Sequence, residues 1–76
     1  MKELLEYIVR HLVEDPDGIE VTEIEDDRGV VLQLRVAPDD MGKVIGRGGR
    51  MARAIRSIVR AAASQEDMAA KVEILE

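Results

Sequence analysis

The sequence predicts a small α+β domain with the element order αββααβ. Three observations lead there. The chain has 76 residues, enough for one domain and no second one, so residues 1–76 are read as a single unit. Apolar residues recur at helical spacing over residues 2–13 and again over residues 50–64, with two alternating runs between them. A glycine-rich loop, Gly46-Arg47-Gly48-Gly49, separates two helical patterns.

The elements follow in order. Leu4, Leu5, Ile8, Val9 and Leu12 fall on one side of a helix over residues 2–13. Asp15-Pro16-Asp17-Gly18 suits a type I turn, with Asp first, Pro second and Gly fourth, and Pro16 stops the helix. Residues 19–25 read as a strand in which Ile19 and Val21 alternate. Ile24 breaks that alternation, which predicts a bulge or twist near Thr22. Asp26-Asp27-Arg28-Gly29 reads as a hairpin turn. Residues 30–36 form the clearest strand, with Leu32, Leu34 and Val36 on one face and Val31, Gln33 and Arg35 on the other. Pro38-Asp39-Asp40 opens a short helix, its carboxylates placed to complement the positive end of the dipole. Over residues 50–64, Met51, Ile55, Ile58 and Ala62 mark the expected core face of a longer helix. Arg53, Arg56 and Arg60 lie on roughly the opposite side. Residues 71–76 alternate like a last strand.

Composition excludes several classes. Apolar residues at 46% and charged residues at 36% fit a folded domain rather than a disordered tail. The absence of cysteine removes disulfides and thiolate metal sites. The first residues carry acids and lack a continuous apolar run, which argues against a signal peptide. No stretch is long enough to span a membrane, so a cytoplasmic protein is expected. The net charge of −5 misleads when read alone. Residues 43–60 hold six cations, Lys43, Arg47, Arg50, Arg53, Arg56 and Arg60, and no acid; the rest of the chain holds 5 cations against 16 acids. Asymmetry of this kind orients an encounter with a polyanion toward one patch.

The loop carries the chemistry. Three of its four positions lack a side chain, so a sugar-phosphate backbone can approach closely, and Gly46 and Gly49 can take positive φ. The helix that starts near Arg50 offers free N–H groups and partial positive charge to a phosphate. Arg47 and Arg50 can add charge-assisted contacts. Two other phosphate motifs fail here. A dinucleotide fingerprint beginning at Gly46 and Gly48 would need its third glycine at Met51, and the sequence contains no Gly-Lys-Ser/Thr of a P-loop. A Gly-x-x-Gly alone also fits a plain interhelical turn, and an arginine stripe a solvated helix face. What favours phosphate is that the stripe has no acids interspersed and begins where the loop ends.

On these residues the chain resembles the KH domain and, within it, the small bacterial KhpA-type family. Val44-Ile45-Gly46-Arg47-Gly48-Gly49 and Arg50-Met51-Ala52-Arg53-Ala54-Ile55 carry the resemblance, with residues 34–43 upstream. It covers essentially the whole chain. The resemblance implies a type II KH domain: αββααβ, a three-stranded mixed sheet, and three helices packed on one face. It implies single-stranded RNA held beside the loop, with Gly46, Arg47, Gly48 and Gly49 on the backbone and Ile45 in an apolar floor. Arg50 and Arg53 join this set by position and charge, and Lys43 and Arg35 are weaker candidates. No catalytic residue, cofactor or metal is expected. The resemblance further implies homodimerisation, a larger Jag/KhpB-type partner that carries a KH domain, RNA chaperone activity, and a role in cell shape and elongation. A protein-interaction module with vestigial RNA binding is the alternative. Gly48 stands where many relatives carry a polar side chain, which predicts a more flexible loop and weak sequence preference.

Other residues carry less. His11 has no cysteine or acidic cluster placed for a metal, and reads as a surface or interface residue. Ser57 and Ser64 lack a neighbouring base in the sequence. Met41, Met51 and Met68 read as packing, as does Tyr7. Glu25-Asp26-Asp27 lacks the ligand spacing of a calcium loop.

Overall fold

A computed structural model describes residues 1–76. Helix α1 spans Lys2–Arg10, strand β1 Glu20–Asp26, strand β2 Gly29–Arg35, helix α2 Met41–Ile45, helix α3 Arg50–Gln65 and strand β3 Ala69–Ile74. Short 3₁₀ turns lie at Pro16–Gly18, Pro38–Asp40 and Arg47–Gly49. The order αββααβ is the expected one. No helix is long and apolar enough to cross a membrane.

Strand β2 is the centre of a mixed sheet ordered β1-β2-β3. It pairs antiparallel with β1 and parallel with β3. The parallel pairing requires a crossover, and α2 and α3 supply it. Asp26 closes the hairpin by accepting hydrogen bonds from the N–H groups of Arg28, at 2.8 Å, and Gly29, at 3.0 Å. Such a side-chain turn is a known use of Asp in tight loops.

The alternation of β2 sorts the two faces as expected. Val30, Leu32 and Leu34 are buried, whereas Val31 and Gln33 are half-buried on the other side. Their inward face meets Leu5 and Val9 of α1, Val44 of α2, and Ile55 and Val59 of α3 in one apolar cluster. Helices therefore cover one face of the sheet, and the other faces solvent. Only 14 of 76 residues are buried, which puts the domain at the modest end of stability.

Two local expectations are corrected. The register from Glu20↔Arg35 to Asp26↔Gly29 is unbroken, so β1 contains no bulge. Ile24 sits opposite Val31 on the outer face and stays 48% exposed, which is why it disturbs the alternation. The core face of α3 is also rotated. Ala52, Ile55, Val59 and Ala63 are buried, while Ile58 is 49% exposed.

Candidate nucleic-acid interface

Helix α2 stops at Ile45 because the next residue leaves helical space. Gly46 has φ 74° and ψ 172°, a region that only glycine occupies readily. A Cβ there would lie 2.7 Å from Met51 Cβ and 2.8 Å from Met51 N. The bare Cα is thus what lets the loop turn against the first turn of α3. Gly48 (φ 64°, ψ 19°) and Gly49 (φ 78°, ψ 13°) follow in the left-handed region, and a Cβ at Gly48 would meet only open space.

The loop divides its backbone donors into two sets. Gly49 N–H donates to Gly46 O at 3.1 Å, and Arg50 N–H to Arg47 O. The N–H groups of Arg47 and Gly48 make no hydrogen bond within the chain. Two adjacent unpaired donors on an exposed, side-chain-poor loop are groups from which an anionic oxygen can accept. The side chain of Arg47 is exposed beside them, and that of Arg50 is exposed at the N-terminus of the 16-residue α3.

The predicted cations then separate by what already holds them. Arg47, Arg50 and Arg60 form no salt bridge with any acid of the chain. Arg53 Nη1 donates to Gly48 O at 3.0 Å, and Arg56 Nε to Val72 O at 3.2 Å. Lys43 Nζ lies 2.9 Å from Glu14 Oε1 and 3.5 Å from Asp40 Oδ1. The hydrogen bond to Glu14 leads in holding the Lys43 pKa above the ordinary lysine value. Arg35 lies on the outer face of the sheet, 4.0 Å from Glu20 Oε1, and donates to the Glu76 carbonyl oxygen at 3.1 Å. The structure thus gathers Ile45, Gly46, Arg47, Gly48, Gly49, Arg50 and Arg53 at one loop, and leaves Lys43 and Arg35 engaged with acids or backbone elsewhere.

Ile45 closes α2 with 37% of its surface exposed, next to the loop. An open groove of about 560 Å³ runs between α3 and the free edge of β3, lined by Arg56, Arg60, Val72, Ile74 and Leu75 among others. Its apolar wall suits a base and its cations a phosphate, with Glu73 the one acid in the lining.

Sequence reasoning missed Asp40. It is the one buried polar residue, at 2% exposure. Its two carboxylate oxygens accept the N–H groups of Glu14 and Asp15, each at 3.1 Å. These bonds tie the chain after α1 to the start of α2, which carries the loop. The bond from Glu14 leads in holding the Asp40 pKa below the usual carboxylate value. Burial opposes it, and the Asp15 bond and Lys43 assist. No local signal marks this role, because the partners lie 25 and 26 residues away.

Comparison with known proteins agrees along the whole length. The model of the KhpA/KhpB KH-domain family matches residues 2–74. The RNA-binding protein KhpA of Clostridium acetobutylicum is 49% identical over 75 residues, covering 99% of this chain and all of the relative. That of Caldanaerobacter subterraneus is 49% identical over 75 residues with the same coverage. The Streptomyces coelicolor RNA-binding protein KhpA is 51% identical over 61 residues, covering 80% of this chain and 77% of the relative.

Proposed function

This chain belongs to the KhpA/KhpB KH-domain family, and from that premise we propose that it binds single-stranded RNA without catalysing a reaction. The observation that carries the reading is the pair of free N–H groups at Arg47 and Gly48, flanked by the unpaired guanidinium groups of Arg47 and Arg50. Phosphate oxygens rest on those donors. The strand then follows the groove beside α3, its bases against Ile45 and the β3 edge, and Arg60 meets a further phosphate. Backbone and apolar contacts of this kind give little base discrimination.

One groove of this size makes few contacts, so useful affinity comes from several domains acting together. The protein acts as a homodimer and with a larger Jag/KhpB-type KH-containing partner, as a cytoplasmic RNA chaperone or post-transcriptional regulator in cell-shape and elongation control. Ala54, Ile58 and Ala61, exposed at i, i+4 and i+7 on α3, support the homodimer. The same stripe favours a second reading, in which association is the main task and RNA binding is vestigial.

The test is binding of labelled single-stranded RNA to wild type and to Arg47→Asp with Gly48→Asp. Both positions are exposed, and aspartate tolerates the left-handed region better than most residues, so the variant folds, as circular dichroism will verify. Loss of binding in the folded variant is the expected result. Equal binding by both proteins, or by neither at low salt, would leave the interaction module as the better reading.

A further inference from the structure

The loop arginines do unlike work. Arg47 and Arg50 point no donor at the protein, whereas Arg53 reaches back from the first turn of α3 to the carbonyl of Gly48. The peptide between Gly48 and Gly49 is therefore held on both sides. Its oxygen accepts from Arg53 Nη1 at 3.0 Å, and its N–H donates to Gly46 O at 3.1 Å. The same guanidinium also lies over Gly49, where an added Cβ would come within 3.3 Å of Nη1.

Two consecutive glycines in the left-handed region would otherwise sample many conformations. Fixing the peptide that joins them fixes which way the neighbouring N–H groups of Arg47 and Gly48 face. On the RNA-binding reading above, which this inference rests on, those are the groups that meet phosphate. We infer that Arg53 is a positioning residue: it holds the glycine loop in its binding geometry, and it does not act as a phosphate ligand. A loop ordered before the strand arrives loses less conformational freedom on binding. This offsets the flexibility that Gly48 introduces.

The experiment compares the full chain with Arg53→Met, which keeps the stem and removes the donors, and Arg53→Lys, which restores one donor. The first measurement needs no RNA: amide hydrogen exchange of Gly49 by NMR in the free protein. Exchange accelerates about three- to tenfold in Arg53→Met, the size expected for one partly exposed charge-assisted bond, and Arg53→Lys lies between. The second measurement is affinity for a labelled uridine octamer across a salt series. Arg53→Met binds about three- to tenfold more weakly with an unchanged salt slope, whereas Arg47→Met loses about 0.7 from the slope, the value of one phosphate on a single strand. A similar loss of slope in Arg53→Met makes Arg53 a phosphate ligand and overturns the inference. So does an unchanged Gly49 exchange rate. If wild type binds no RNA at all, the functional reading fails, and the exchange rates still decide whether Arg53 orders the loop.

Discussion

Alanine substitutions at Gly46 and Gly48 separate two glycines that look equivalent in the motif. At Gly46 an alanine must adopt φ 74° and ψ 172°, and its methyl group would overlap Met51 Cβ and N, at 2.7 and 2.8 Å. Residues forced into such regions cost about 1–3 kcal/mol before any overlap is counted. Met51 N is backbone of α3 and cannot swing aside, so overpacking adds a further ~1–3 kcal/mol, and near the middle of the two ranges the sum is about 3–4 kcal/mol. At Gly48 the strain is that of the left-handed region alone, about 1–2 kcal/mol, because the space around its Cα is empty.

A 76-residue domain has a total stability of about 4–11 kcal/mol, so Gly46→Ala removes about a quarter of it or more. At about 4–8 °C per kcal/mol for a domain this small, Gly46→Ala lowers the melting temperature by about 12 °C or more. Gly48→Ala lowers it by about 4–16 °C on the same scale, and by less than Gly46→Ala in every case. Gly48→Asn lowers it less, since asparagine tolerates this region. Thermal unfolding followed by circular dichroism, checked by urea titration, reads all three. Should Gly46→Ala melt within about 3 °C of Gly48→Ala, the loop does not hold the backbone described above, and the phosphate geometry built on it falls too.

Two further predictions concern the supports of the site. The lowered Asp40 pKa means that its contribution to stability is present above the ordinary aspartate value and is lost as pH falls through the lower folded value. The raised Lys43 pKa means that its share is present below the ordinary lysine value and is lost as pH rises through the higher folded value. Asp40→Asn therefore melts lower at neutral pH and shows a shallower acid limb below about pH 4. Parallel pH curves for the two proteins would remove Asp40 from that role. At the α3 stripe, Ile58→Asp yields a monomer in sedimentation and abolishes the concentration dependence of the wild-type melting temperature. A wild type that stays monomeric at tens of micromolar contradicts the homodimer.

Much of the fold was legible because its signals are local. Alternation in β2 needs only the residues of β2, and the loop announces itself through glycines that nothing else in the chain demands. The phase of α3 was harder. Ile58 and Val59 are adjacent and both apolar, and the alanines around them fit either face, so the sheet beneath decides which of the two stays outside. The candidate residues come together at the loop and less so around it. Lys43 and Arg35 are cations of the right charge near the right segment. Glu14, which partners Lys43, comes from a distant part of the chain that a linear reading does not bring near it, whereas Glu20 faces Arg35 across the hairpin and follows from its register. The role of Asp40 was hidden for the same reason.

That sorting of cations changes what a salt titration means. Of the six cations between residues 43 and 60, three are engaged with the protein itself: Lys43 with two acids, and Arg53 and Arg56 with backbone carbonyls. Arg47, Arg50 and Arg60 remain free, and all three are exposed. Three phosphates neutralised on a single strand give a slope of log affinity against log salt of about −2. The full count of six would give about −4 from one domain. Strand length distinguishes a steep slope that comes from one domain from one that comes from two. A tetranucleotide fits a single groove and yields about −2; a longer strand bound by both subunits of a homodimer yields about −4. A slope near −4 on the tetranucleotide would mean that the internal bonds of Arg53, Arg56 and Lys43 give way to phosphate. A slope that stays near −2 on long strands would mean that the two grooves of a dimer do not share one RNA.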